Sequence, residues 1–329
     1  MPQLSFSAID PKIALVISRA LAALRPSLIA FLVANAMLLS GGTQTPISFC
    51  NVLFVGNLCA ALAVGTWFGW RSLIQDWLSL ERRIKVGLFL NGCLAALLSS
   101  LIFVGLAYTS VTNAVLLGRL GPVIYALVGT LILGRKIKRF EWIGFSLIIA
   151  GVLAIVLKTS NFQINQGDLL ILLSAVVYAA SSTLGKLMLS QQTNLRIVVF
   201  SRNLISSIIF FIIANLVFGP EHFTDVLAGQ LWMVMVVYAL IIIVLAQFLW
   251  YSALEQLNSQ TVGKWTSLSP VFGVTYAFLL NGERPSMAQF LAFLVIMAGI
   301  CVTSFNRQSS RPMETNEMAD GAESCVSTS

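Results

Sequence analysis

The chain has 329 residues, 57% of them hydrophobic and only 10% charged, with a formal net charge of +7 and a mean hydropathy of +0.88. Soluble domains carry about 25% charged residues, so a water-soluble enzyme or binding module is excluded. The positive balance does not make a nucleic-acid binder either, because the basic residues stand in separate short segments beside apolar runs.

A membrane-spanning helix needs about 20 mostly apolar residues, and ten such runs follow one another. Ile13 to Leu24 reads as a short amphipathic helix on the inner surface, ahead of spans at 25–40 and 49–69. Leu73, Ile74, Trp77 and Leu78 form a similar stripe, with Trp77 as its interfacial anchor. Further spans are expected at 86–107, 112–133, 140–157, 168–189, 197–218, 231–253, 259–280 and 287–305. The runs are too long and too uniformly apolar for membrane strands. The first run lacks a small-x-small cleavage pattern, so no leader is expected. From Arg307 the composition turns to Ser, Thr, Glu and Gln, which predicts a disordered tail. None of the five cysteines is spaced as CxxC, so neither a disulfide framework nor a metal site is expected.

At an offset of 148 positions, Phe103–Ala154 aligns without a gap on Tyr251–Val302. Pro122-Val123 falls on Pro270-Val271, Gly134 on Gly282, and Ala150-Gly151 on Ala298-Gly299. An internal repeat in a membrane chain points to a transporter with its site between the halves. Five spans per half is an odd number, so the second half must be inverted. Loop charge agrees. With the N-terminus inside, the inner side holds Lys12, Arg19, Arg25, Arg71, Arg82, Arg83, Lys85, Arg135, Lys136, Lys138, Arg139, Arg196, Arg307 and Arg311, and the outer side only Lys158 and Arg284. The basic turn 135–139 is matched in the repeat by nearly neutral Glu283-Arg284-Pro285-Ser286-Met287.

The expected fold is therefore an all-α integral membrane protein of ten transmembrane helices in two inverted five-helix repeats. Residues 1–24 would be a cytoplasmic N-terminal segment, 25–157 the first repeat, 168–305 the second and 306–329 a disordered cytoplasmic tail. The segments Leu106–Gly151 and Leu254–Gly299 each pair an x-L-x-P-V helix with a closing Gly-led charged turn and a last helix ending in Ala-Gly. In this the chain resembles the EamA-like transporter family of the drug/metabolite transporter superfamily. The first-half turn departs from the family's Gly-Glu by reading Gly134-Arg135-Lys136, while Gly282-Glu283 keeps it. The resemblance implies alternating-access transport of small metabolites, amino acids or drugs across the cell membrane, and no cofactor.

Charges that should not lie in lipid mark the candidate site. Arg119 falls about seven residues into its span, on the order of 10 Å deep. A charge there costs roughly 2.5–3.5 kcal/mol, so it should face the bundle or a wet cavity. Pro122 frees a carbonyl beside it, and Gly118 and Gly121 thin the same face. Lys264, before Pro270, is its counterpart in the second half, and Arg202 is a third cation; pairing with neighbouring carbonyls or snorkelling competes with binding for all three. Lys186 is expected to snorkel, and Glu255 could pair with it or with Lys264. Asn35, Asn57, Asn91, Asn203 and Gln247 read as helix-to-helix glue, Tyr178 and Trp265 as cavity walls or packing, and His222 as solvated. No carboxylate lies mid-helix where a proton-coupled exporter of cations would need one, so the expected substrate carries a carboxylate or other anionic group: an amino acid, an organic acid or a conjugate. The alternatives are an exporter of drugs or cationic compounds and, more distantly, a membrane-embedded transferase. A transferase would need catalytic acids or a metal set, of which the inner loops offer little beyond Asp76, Glu81 and Glu141. Expected partners are a small-molecule substrate and the lipid bilayer, with no nucleic acid; a homodimer stays open.

Overall fold

The computed structural model describes residues 10–35, 49–133, 137, 139–159, 165–190, 193–217, 227, 229–246, 249, 253 and 268–305. These residues hold helices and turns and no strand. In chain order the helices are α1 (Pro11–Ala34), α2 (Phe49–Phe68), α3 (Trp70–Ser79), α4 (Arg82–Leu106), α5 (Val111–Leu117), α6 (Leu120–Leu133), α7 (Arg139–Thr159), α8 (Gln166–Ser190), α9 (Leu195–Val217), α10 (Gly229–Tyr238), α11 (Ser269–Asn281) and α12 (Met287–Phe305). α10 runs on into a π-helical stretch, Ala239–Leu245. Seven spans among the described residues are long and apolar enough to cross a membrane, α5 and α6 together counting as one, and two shorter apolar helices join them.

α1 corrects the sequence reading. A surface helix at 13–24 and a separate span from 25 were expected; one helix runs from Pro11 to Ala34 with Pro26 inside it. The strong helix formers of Ala20–Leu24 carry the helix through this stretch. Arg19 and Arg25 are thereby drawn into an apolar span of Pro11–Leu32 instead of preceding it. Ser18 Oγ ties the helix to the end of the π-helical stretch by donating to the Ala246 carbonyl at 2.7 Å.

The span expected at 112–133 is broken in two. Pro122 has no N–H to give to the Gly118 carbonyl. Gly121 N donates to that carbonyl instead, at 3.2 Å, and Arg119 N donates to Leu116 O at 3.1 Å. These shorter-range bonds tighten the chain between α5 and α6. α11 begins at Ser269 with Pro270 in its first turn, the same register to its proline as α6 within one residue. It ends on Gly282 in the left-handed region, φ 65°, with Glu283 N closing back onto Ala277 O at 3.2 Å. That geometry suits glycine.

Partners are exchanged between the two stretches of chain. α6 packs on α8 and α11 on α1, while α4 packs on α8 and the π-helical stretch on α1. α7 and α12 cross with their backbones touching: a methyl group on Gly144 would sit 2.6 Å from Gly299 O, and one on Gly151 3.1 Å from Ala292 O. At the 148-residue offset, Gly144 corresponds to Ala292 and Gly151 to Gly299. The two contacts are therefore the same contact with the helices interchanged. Such reciprocity requires α7 and α12 to run antiparallel. The main apolar core lies where α5 is enclosed, around Leu116, Leu117, Val115 and Ala277.

Candidate substrate-binding site

Two polar regions cross this bundle. The first lies at its carboxylate end, where α5, α8 and α12 begin and α11 finishes. Glu283 reaches across to the start of α5 and accepts from Val111 N at 2.6 Å, Thr112 N at 2.8 Å and Thr112 Oγ1 at 2.8 Å. The free N–H groups and positive dipole of a helix start favour a carboxylate. Ser110 caps the same helix, accepting from Asn113 N at 3.1 Å. Ser286 and Gln289 cap α12 reciprocally: Ser286 N donates to Gln289 Oε1 at 2.7 Å and Gln289 N to Ser286 Oγ at 3.3 Å. Gln289 Nε2 then donates to Asn113 Oδ1 at 2.7 Å. Asn113 Nδ2 points at the buried Asp168 carboxylate, 3.3 Å from Oδ1, which also accepts from Thr109 Oγ1.

The second region surrounds the α5–α6 break. Arg119 lies eight residues past Val111, about 12 Å from the carboxylate end. Its Nε donates to Val115 O at 3.2 Å, and no carboxylate engages it among the described residues. Tyr178 of α8 packs beside the break, against Gly121, two residues from Arg119. Glycine at 121 lets the ring lie on the α6 backbone, since a methyl group there would be 2.8 Å from Tyr178 Cδ1. At 100° per residue, Tyr178 shares its α8 face with buried Ile171, Ser174, Ala175 and Ser181 and stands opposite the exposed Leu169, Leu173 and Val176. Yet Tyr178 is 42% exposed. The ring therefore keeps free surface on the face that α8 turns toward its packed neighbours.

The other expected residues divide as follows. Gly118, Gly121 and Pro122 form the break itself, and Pro270 opens α11. Arg202 is half-buried on α9 and already has a partner. Lys264, Trp265, Glu255, Gln247 and His222, with the tail, lie outside the described residues, as does the side chain of Lys186. Asn57 and Asn203 donate to carbonyls one turn back, Leu53 O at 2.7 Å and Val199 O at 2.8 Å. Asn91 joins α4 to α8, accepting from Ser181 Oγ at 2.8 Å. Among the described residues the buried carboxylates, Glu141 and Asp168, stand in first turns and not at mid-helix. At the opposite, basic end Arg196 grips Asp76 with both arms, at 2.7 and 3.1 Å, fastening α3 to α9.

Sequence reasoning missed Arg25. It placed this residue at the inner end of the first span, among the inner-side charges, whereas Arg25 lies 14 residues into α1 on the face that carries Ala14, Ser18, Ile29 and Leu32, all at most 4% exposed. That spacing was present in the sequence as a helical period. Missed too was the capping role of Glu283, which had been read only as part of a turn.

The family model of the EamA-like transporter family matches the chain twice, over residues 27–157 and 165–305. The chain belongs to this family. An uncharacterized transporter of Synechocystis is 30% identical over 84% of each chain. A riboflavin transporter of Fusobacterium nucleatum is 24% identical over 78% of this chain and 88% of its own length. A probable amino-acid metabolite efflux pump of Salmonella typhimurium is 25% identical over 54% and 62%. A solved crystal structure with 17% identity shares the fold, with a TM-score of 0.57 over 89% of this chain and 99% of its own. Family and helices together make this EamA protein a multi-pass membrane protein of a transporter family.

Proposed function

We propose that this EamA protein moves a small metabolite carrying a carboxylate or other anionic group across the cell membrane by alternating access, and that Arg119, with Lys264 and Arg202, holds that group. The observation that carries the reading is Arg119 itself: a guanidinium inside an apolar span, at a helix break, held by one backbone carbonyl and by no carboxylate among the described residues. Such a charge is costly without a counter-ion, and an anionic substrate supplies one when it binds. Likeness to an amino-acid metabolite efflux pump supports the same chemistry. A second reading, an uncharged aromatic substrate, draws on the riboflavin transporter and on the exposed ring of Tyr178.

The proposal includes ten spans in two inverted repeats, 25–157 and 168–305, with both termini cytoplasmic. The reciprocal antiparallel contacts of α7 and α12 support the inversion. On this reading the carboxylate end faces outward and is shut by the Glu283 and Gln289 bonds. Two experiments test it. Uptake and export of radiolabelled amino acids, organic acids and riboflavin by proteoliposomes, with and without a pH gradient, should show movement of anions; movement of riboflavin alone overturns the anion reading. Single cysteines at 135–139 should resist a membrane-impermeant thiol reagent in intact cells, and labelling there from outside overturns the orientation.

A further inference from the structure

Arg25 stands on α1, where the sequence reading put it at the inner end of the first span. It lies 14 residues into α1 from Pro11, about 21 Å along the helix. Its neighbours on the same face are at most 4% exposed, but Arg25 itself is only half-buried. Among the described residues its guanidinium makes one bond, Nη2 to Ser99 Oγ on α4 at 3.3 Å, and its Nε is buried with no partner.

Packing sets Arg25 and Arg119 in one layer. Ser99 stands between Leu98 and Leu101, which cluster with Val177 on α8. The residue after Val177 is Tyr178, whose ring lies against Gly121, two residues from Arg119. Depth agrees. Ser99 is about 10 Å below Leu106 and Arg119 about 12 Å below Val111, and Leu106 and Val111 flank a single short turn. No carboxylate joins either arginine among the described residues.

We propose that Arg25 is a second substrate-binding cation and that the substrate is a small organic dianion, one anionic charge set against each guanidinium. This rests on the anion-transporter reading above and narrows it. Two cations set at one depth in an apolar bundle repel each other. A monoanion would leave one of them uncompensated, whereas a dianion neutralises both. Two carboxylates and a phosphate ester share this chemistry. The start of α5, the helix that leads into the layer, is not available for phosphate because Glu283 already fills it.

The test uses full-length protein in proteoliposomes, with labelled succinate and glycerol 3-phosphate as dianions and labelled lactate as the monoanion. Wild type should take up a dianion in preference to lactate, and which dianion wins distinguishes carboxylate from phosphate recognition. Arg25→Gln keeps a polar side chain while removing the charge. It should weaken the dianion by about 10- to 100-fold and leave lactate nearly unchanged, so that the preference is lost. Arg25→Lys, which keeps the charge, should retain the preference, and it serves as the working variant should Arg25→Gln fail to fold. Arg119→Gln should weaken both classes. An unchanged dianion-to-lactate ratio in Arg25→Gln, or loss of that ratio in Arg25→Lys, makes Arg25 a structural residue and overturns the inference while the anion reading stands. If wild type moves lactate as well as either dianion, the dianion is overturned alone; if it moves no anion, both readings fall.

Discussion

The carboxylate end and the arginine layer are about 12 Å apart along α5 and α6, and both bury polar groups among apolar helices. At the carboxylate end the groups answer one another. Glu283 accepts three bonds of 2.6 to 2.8 Å, and the amides of Gln289 and Asn113 are oriented by a chain that finishes on Asp168. In the arginine layer, Arg119 has one bond to its own helix and Arg25 one long bond and an idle Nε. Buried polar groups in folded proteins are nearly always satisfied. The carboxylate end satisfies itself and is a fastening; the two arginines keep donor capacity that, under the proposed function, an anionic substrate takes up. Burial and polarity are common to both; only the hydrogen-bond accounting separates them.

That contrast can be broken most directly at Arg119. Arg119→Ala should weaken apparent substrate affinity by about 10- to 100-fold, since a charge-assisted bond contributes about 1.5–3 kcal/mol. Melting in detergent should change little, and Arg119→Lys should recover only part of the affinity, lacking the planar fork. A well-folded Arg119→Ala that transports normally would remove the arginine from the site. Glu283→Ala should show the opposite pattern. Loss of the cap should cost on the order of 1–3 kcal/mol and lower the melting temperature by several degrees, with affinity per folded molecule held within about threefold. A single cysteine at position 113 should then label faster, and a variant that melts and labels like wild type would mean the end is shut by something else.

Asp168→Asn preserves shape and replaces a two-oxygen acceptor facing two donors by one with half that capacity. A melting decrease of about 2–4 °C is expected, near 1 kcal/mol, and an increase would show that the carboxylate is unfavourable where it lies. The smallest effect belongs to Tyr178. Tyr178→Phe keeps the ring on Gly121 and should alter anion affinity by no more than about threefold, under 1 kcal/mol; a larger loss would give the phenol a direct contact with substrate.

What could be read beforehand was whatever depends on neighbours in sequence. The break at Gly118–Arg119 follows from a proline four residues after a glycine, and the left-handed turn at Gly282 from a glycine closing an apolar run. The internal repeat showed through matched prolines and glycines. Arg25 was misplaced because arginines near an N-terminus were assigned by the rule for loop charge, which is blind to a helix that continues beneath them; the period shared with Ser18, Ile29 and Leu32 was the better guide. The cap supplied by Glu283 to Val111 spans 172 residues, and no local pattern announces which helix start a distant carboxylate will reach.

The exchange of partners between the two stretches of chain has a consequence for synthesis. Helices emerge from the ribosome in order, at about 5–20 residues per second. α6 packs on α8, and α1 on α11 and the π-helical stretch. Neither α1 nor α6 meets these partners until later chain has been made, and α1 waits for nearly all of it. During that interval Arg25 has Ser99 of α4 within reach but not the α11 face that packs on its helix. Completion of α11 is thus the event that gives α1, and Arg25 on it, a full set of neighbours, whereas the α5–α6 break meets Tyr178 as soon as α8 has been made.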